Sequence, residues 1–296
     1  MKEFIKRILY GDRELKDQVE KIRSINQSLI KQSTYLENLM IEDYLQKYLY
    51  SNPKYSDSKK LNKYEFKVYS QSGEDGIIEE IFKRIDTTNQ YFVEFGVGNG
   101  LENNTAYLLN KGWSGHWLEG SPKYCQNITK VFADLIAKNK LGITNTFITA
   151  ENIEELFTAA KVPQEFDFLS IDIDGNDYWV WQAIKNFYPR VVSIEYNAIY
   201  PPQMGWTIKY NPQHNWDYSS YMGASLKALE KLGTEKGYKL VGCSFSGINA
   251  FFVREDLVSD YFCAPHIAET HYEPPRYFMT RQSLGHPRSF GPFELI

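Results

Sequence analysis

Three clusters of residues in this chain of 296 have the types and spacing to do chemistry. The first is Tyr91-Phe92-Val93-Glu94-Phe95-Gly96-Val97-Gly98-Asn99-Gly100. A short apolar run suits a buried parallel strand. The Gly-x-Gly-x-Gly that follows lets the chain turn sharply and lets a ligand approach bare backbone. Glu94 stands two residues before the first glycine. Glu119 ends a second apolar run one βαβ step later, where dinucleotide folds use a carboxylate to hold ribose hydroxyls. The second cluster is Asp172-Ile173-Asp174-Gly175-Asn176-Asp177, behind the apolar run 166–171. Its carboxylates do not all ionise unless water, a cation or hydrogen bonds compensate. The third is Glu195 and Asn197 at the end of the run 191–197, with His214 in the loop beyond. Asp172, Asp174 and His214 are candidate bases for a hydroxyl proton. Asp172, Glu195 and Asn197 are alternatively an oxygen-donor set for Mg²⁺.

Each cluster also has a plainer reading. A glycine turn joins many strands to helices, and Asp172 or Asp174 would serve equally to cap the helix that follows. Glu151 and Asn152 stand either at an adenine edge or at the cap of their own helix. Gln71, Glu74 and Asp75 lie either beside a cofactor pocket or in an ordinary capped helix start, with Ser72 and Asp75 in the capping-box spacing.

The elements that must position these residues follow from periodicity. Strands are expected at 91–95, 115–119, around 146–149, at 166–171 and at 191–197, with helices at 105–111, 122–138, 152–160 and 177–187. A helix at 220–236 precedes two strands, 238–243 and 249–253, joined by a Gly-containing turn that reads as an antiparallel hairpin. The result is an α/β domain over 69–257, its sheet Rossmann-like, mostly parallel and closed by a hairpin. Residues 198–218 form a long loop of the kind that covers a site. Residues 258–296, rich in Pro and aromatics, are expected to wrap the domain.

Residues 1–50 read as helix, interrupted near Gly11. Leu15, Ile22, Leu29 and Leu36 fall at d positions and Val19, Asn26, Ser33 and Met40 at a positions of a heptad. That pattern predicts a coiled coil through 15–40 and a homo-oligomer. Phe4, Ile5, Ile8 and Leu9 among basic residues make a short amphipathic stretch able to touch an anionic membrane. Pro53 stops the helix, and the polar stretch 51–68 reads as a linker.

Composition narrows the function. Net charge is −4 with no long basic run, which argues against nucleic acid as the main partner. Cys125, Cys243 and Cys263 have no metal spacing and suit a reducing cytoplasm. No run is long enough for a membrane span. Aromatics reach 16%. Most of them must be core, and some have the amphipathic faces that line sugar or nucleoside pockets.

The motifs together resemble the FkbM-like family of S-adenosylmethionine-dependent methyltransferases. Tyr69-Ser70-Gln71-Ser72-Gly73-Glu74-Asp75 is similar to that family's Y-S-Q-x-G-E-D entry. Phe92-Val93-Glu94-Phe95-Gly96 is similar to its first motif. Asn104-Thr105, then Lys111-Gly112-Trp113-Ser114-Gly115 running to Glu119, follows its next signature, and Ile171-Asp172-Ile173-Asp174-Gly175 resembles its I-D-V-E-G strand end. The resemblance spans roughly 65–255. Leu118-Glu119-Gly120-Ser121-Pro122 departs from the usual I-E-P-N-P, and Asp174 stands where Glu is common. The resemblance implies a class I methyltransferase fold and an S-adenosylmethionine cofactor. That cofactor would lie on Gln71, Glu74, Asp75, Glu94, Gly96, Gly98, Gly100, Asn104, Thr105, Glu119, Glu151, Asn152 and Asp172. The acceptor implied is a hydroxyl of a sugar, glycan or related small molecule. The rivals are an NAD-dependent sugar-nucleotide oxidoreductase, which needs a Tyr-x-x-x-Lys pair that here falls at Tyr55 and Lys59 in the linker rather than after a core strand, and a non-catalytic coiled-coil scaffold carrying a degenerate domain.

Overall fold

The computed structural model describes residues 2–280 and 286–296, with side chains from Leu15 onward. The chain forms two compact units, Met1–Pro53 and Lys54–Ile296.

The smaller unit is a single helix, α1 (Lys2–Leu45), ending in a wider turn, Gln46–Tyr50. The expected interruption at Gly11 does not occur. A glycine costs a helix about 1 kcal/mol relative to alanine, which cooperative propagation through 44 residues absorbs. Leu15, Ile22, Leu29 and Leu36 are exposed along it, as are Val19 and Met40. The side chains of Phe4, Ile5, Ile8 and Leu9 lie outside the described residues. Among the described residues, no helix is long and apolar enough to cross a membrane.

The larger unit is built on a seven-stranded sheet. In chain order its strands are β1 (Tyr91–Phe95), β2 (Ser114–Glu119), β3 (Leu141–Asn145), β4 (Glu165–Ile171) and β5 (Tyr188–Glu195). A short β6 (Trp206–Ile208) stands apart, and β7 (Tyr238–Cys243) and β8 (Asn249–Arg254) complete the set. The spatial order is β3-β2-β1-β4-β5-β8-β7. The first five are parallel, and β8 runs antiparallel to both β5 and β7. This is the expected Rossmann-like, mostly parallel sheet, with the closing antiparallel hairpin. The central strands carry apolar residues on both faces because both faces are covered. Phe92, Phe168 and Val191 face one core cluster, and Val93, Leu169 and Val192 face the other. Helix α2 (Glu74–Ile85) covers the first of these with Ile77, Ile78, Ile81 and Phe82.

Several expected boundaries move. The third strand is 141–145 rather than 146–149, because Asn152 turns the later segment. Its Oδ1 accepts from the Thr149 N–H and its Nδ2 donates to the Phe147 carbonyl. The helix expected at 122–138 breaks at Phe132 into Pro122–Val131 and Ala133–Ala137. The stretch read as a linker is folded from Lys54 onward. Tyr55 and Leu61 are buried there, and Asn62 donates to the Cys243 carbonyl. The long loop 198–218 contains β6, which pairs with β9 (Phe293–Leu295) from the tail. The C-terminal segment therefore adds a strand as well as a wrap.

Candidate active site

The glycine loop after β1 and the carboxyl end of β4 are pressed together. Gly96 has φ +67°, and a Cβ built on it would lie 1.7 Å from the Asp172 carbonyl oxygen. Only glycine fits that approach. Gly98, also left-handed, faces open space, and its N–H donates to Glu119 Oε2 at 2.8 Å. Glu119 Oε1 accepts from the Ser121 N–H at 2.7 Å. The carboxylate at the end of β2 is thus held at two points, with lone pairs left over for a diol.

Two cavities meet at this seam, and Gly96 and Asp172 line both. The larger, about 250 Å³, is bounded by Gly98, Glu119, Tyr124, Phe147 and Ile148, and by Asp174, Asn176 and His214 on the far side. Its walls mix apolar side chains with the carboxyl groups of Glu119, Asp172 and Asp174. The smaller, about 120 Å³, is lined by Gln71, Glu94, Asn103, Asn104 and Asn249 and is strongly polar. Burial pushes the Glu94 carboxyl up to about 7, against hydrogen bonds from Thr105, Asn104 and Ser170 that favour its charged form. Asn249 is buried, and its Oδ1 has no partner.

At the mouth between them sit Asp172, Asp174 and Glu195, with one oxygen from each within 4.8 Å of the others. Burial pushes the Asp172 carboxyl well above the usual carboxylate range, and the charge of Asp174 adds to it. Glu195 rises for the same reasons, burial first and then Asp172. Asp174 rises to about 6 through burial and the neighbouring Asp177. Among the described residues, none of the three pairs with Lys or Arg. Glu195 Oε2 is inaccessible and has no hydrogen-bond partner. Asp174 adopts φ +55°, a conformation that costs a non-glycine residue roughly 1–3 kcal/mol and gathers at functional sites. The His214 ring lies on Gly175, where a Cβ would stand 2.3 Å from its Cδ2, and its Nε2 has no partner.

The structure therefore brings Asp172, Asp174 and His214 to one cavity, and Asp172, Asp174 and Glu195 to one cluster. Gln71, Glu94, Gly96, Gly98, Asn104 and Glu119 line the cavities as well. Other expected residues do not. Gly100 packs on Trp117 and Phe132, where its φ of +77° closes the loop. Glu74 and Asp75 are buried and turned back on the backbone. Glu74 accepts from the Ser72 and Gly73 N–H groups, and Asp75 from those of Val68, Tyr69 and Ser70. They hold the loop that carries Gln71. Thr105 spends its hydroxyl between Glu94 and the Trp117 indole. Glu151 binds the Tyr210 hydroxyl and Asn152 binds backbone. The wall expected from those two residues is made by Phe147 and Ile148. Asn197 is no metal ligand in this geometry, since its Nδ2 donates to the Ser220 and Met222 carbonyls and its Oδ1 accepts from the Ile199 N–H.

Sequence reasoning did not single out Phe147, Ile148, Asn176 or Asn249 as lining residues. The first two lay in an apolar run that reads as strand, and nothing in the spacing marks the two asparagines. The Tyr55 and Lys59 pair is not at a hydride site. The Tyr55 hydroxyl is buried against both oxygens of Glu273, and Lys59 pairs with Asp260.

No protein-family model matches the chain, and no curated protein matches it. Among solved structures it is similar to the N-terminal domain of EvdMO1 with SAH bound, at 11% identity and TM-score 0.41, covering 61% of this chain and 79% of that one. It is similar to an O-methyltransferase family protein from Burkholderia thailandensis, at 10% identity and TM-score 0.40, covering 61% of this chain and 57% of that one. It is also similar to the pyocyanin biosynthetic protein PhzM, at 12% identity and TM-score 0.36, covering 60% and 54%. The chain thus spans little more than half the length of the last two.

Proposed function

We propose that the chain is an S-adenosylmethionine-dependent O-methyltransferase, of the FkbM-like kind, acting on a hydroxyl of a sugar, glycan or related natural product. The observation that carries this is the pair of cavities meeting at Gly96 and Asp172. The larger takes adenosine, with Glu119 on the ribose and Phe147 and Ile148 against the base. The smaller takes the amino-acid end, whose ammonium finds Glu94 and Asp172 and whose carboxylate finds amide N–H donors. The sulfonium then falls at the seam, beside the carboxylates of the mouth. A dinucleotide would need a second nucleotide lobe where this site is small and acidic, and a degenerate scaffold would have no reason to keep three uncompensated carboxylates.

The residues at the mouth do the remaining work. Methyl transfer needs an in-line approach, loss of the acceptor proton and exclusion of water. Asp172, Asp174 or His214 takes the proton, and the loop carrying His214 covers the cavity. The group Asp172, Asp174 and Glu195 also suits Mg²⁺, which prefers hard oxygen donors, and the orphaned Glu195 Oε2 favours that reading. A cation bound there would lower the pKa of the acceptor hydroxyl. EDTA then abolishes turnover and Mg²⁺ restores it, whereas a side-chain base working alone ignores both. The exposed heptad positions of α1 fit pairing with further copies of the chain, and Ile22→Glu with Leu29→Glu should reduce the particle mass seen by light scattering.

Calorimetric titration with S-adenosylmethionine, S-adenosylhomocysteine and NAD⁺ tests the cofactor. Binding of the first two without the third is expected. Binding of NAD⁺ alone removes the methyltransferase reading.

A further inference from the structure

We infer that a third cavity, beyond the end of β5, seats an anionic oxygen group, phosphate or carboxylate, borne by the sugar that accepts the methyl group. The inference deepens the function proposed above and rests on it. This cavity encloses about 150 Å³ between Asn197, Ser220, Met222, Tyr277, His286 and Arg288. It shares no residue with the two cofactor cavities, yet it begins only two residues past Glu195.

Its floor is rigid, because Asn197 Nδ2 is tied to the Ser220 and Met222 carbonyls. One wall is aromatic. The Tyr277 and His286 rings meet edge to face with centroids 5.2 Å apart, and the C–H face of a sugar packs on such a surface. The nearness of the acidic mouth is felt at Tyr277. Burial raises its phenol to about 12, the Glu195 carboxylate pushes the same way, and Arg288 pulls it back.

Arg288 is the exception among the arginines of the larger unit with described side chains. Arg84 pairs with Glu80, Arg190 with Asp167, Arg254 with Asp256 and Arg276 with Glu273. Arg288, exposed at the rim of the cavity, pairs with no carboxylate among the described residues. A guanidinium presents a planar fork matched to phosphate and carboxylate oxygens. A neutral sugar gives it nothing to bind as an ion. An acidic sugar is held at Arg288 by its charged group, which leaves a hydroxyl, rather than that group, for the reacting end. Charge thus sets the direction in which the acceptor enters.

The test uses the full chain loaded with S-adenosylhomocysteine and titrated with glucose 1-phosphate, glucuronate and glucose. At least one of the two acids is expected to bind roughly 10–100-fold more tightly than glucose, and which one does so tells phosphate from carboxylate. Arg288→Ala should remove that preference, Arg288→Lys should restore part of it, and neither should change affinity for S-adenosylhomocysteine. If neither acid binds better than glucose, or if Arg288→Ala binds the preferred acid as wild type does, the inference is overturned while the cofactor reading stands. If S-adenosylhomocysteine itself fails to bind the wild type, the underlying reading fails, and this inference with it.

Discussion

The two ends of β4 and β5 carry acids in opposite states. At the amino end, Asp167 is fully buried and fully committed. It pairs with Arg190 at 2.8 Å and accepts from the N–H groups of Thr88 and Gln90 and from the Thr88 hydroxyl. Arg190 in turn binds the Ile85 and Asp86 carbonyls. At the carboxyl end of the same strands, Asp172, Asp174 and Glu195 crowd together with no Lys or Arg partner among the described residues, and burial pushes all three carboxyls above their ordinary range. One end is compensated by the protein and the other, among the described residues, is not. In open parallel sheets the carboxyl end is where ligands bind, and here the charge state of the side chains separates the two ends independently of that rule.

Substitution breaks the comparison most sharply. Asp172→Asn is expected to slow methyl transfer roughly 10²–10⁴-fold while leaving the unfolding midpoint unchanged or raised, since it removes an acid that the fold buries without a cationic partner. Kinetics and thermal melts on one preparation check both halves. Asp167→Ala should do the reverse. It strands the buried Arg190 and costs about 3–5 kcal/mol of stability, read by denaturant unfolding. Turnover per folded molecule should change little, because Asp167 lies at the other end of the strands.

A smaller effect is set by pH. Asp174 near 6 and Glu94 near 7 hold protons in the empty protein that a cationic ligand must displace. S-adenosylmethionine carries a net positive charge, so its affinity should rise with pH through that window, by up to about tenfold per unit for each proton released. S-adenosylhomocysteine lacks the sulfonium and should show a shallower slope. The same groups act oppositely on folding. The folded pKa of Glu94 lies above its ordinary value of 4.5. Its contribution to the stability of the empty protein is therefore fully present at low pH and is lost as pH rises through about 7. Calorimetry across pH 5–8 with both ligands checks the slopes, and parallel melts check the sign.

The strands and the site were unequally legible in the sequence. β1, β4 and the closing hairpin follow from apolar runs and turn glycines, which are local signals. The carboxylates at the strand ends were visible for the same reason, since alternation and strand order send Asp172 and Glu195 to one edge. β3 was displaced because Thr146-Phe147-Ile148-Thr149 has strand-like residues, while the side chain of Asn152, which turns it, acts from outside the run. Glu74, Asp75 and Thr105 carried the right residue types, but they are engaged by backbone N–H groups, by the Glu94 carboxyl and by an indole, which no spacing reveals. Tyr277 and Arg288 reach the edge of the site from a tail with no periodicity, and only the folded chain brings them there.

The central claim is that the seam between Gly96 and Asp172 holds S-adenosylmethionine with its ribose on Glu119. The most direct measurement is calorimetric titration of S-adenosylhomocysteine into the wild type and Glu119→Ala, with a melt to confirm that the variant is folded. The account predicts tight binding by the wild type and a loss of about 1.5–3 kcal/mol in the variant, the scale for removing a charged hydrogen-bond partner. Equal affinity in a folded Glu119→Ala protein would contradict it.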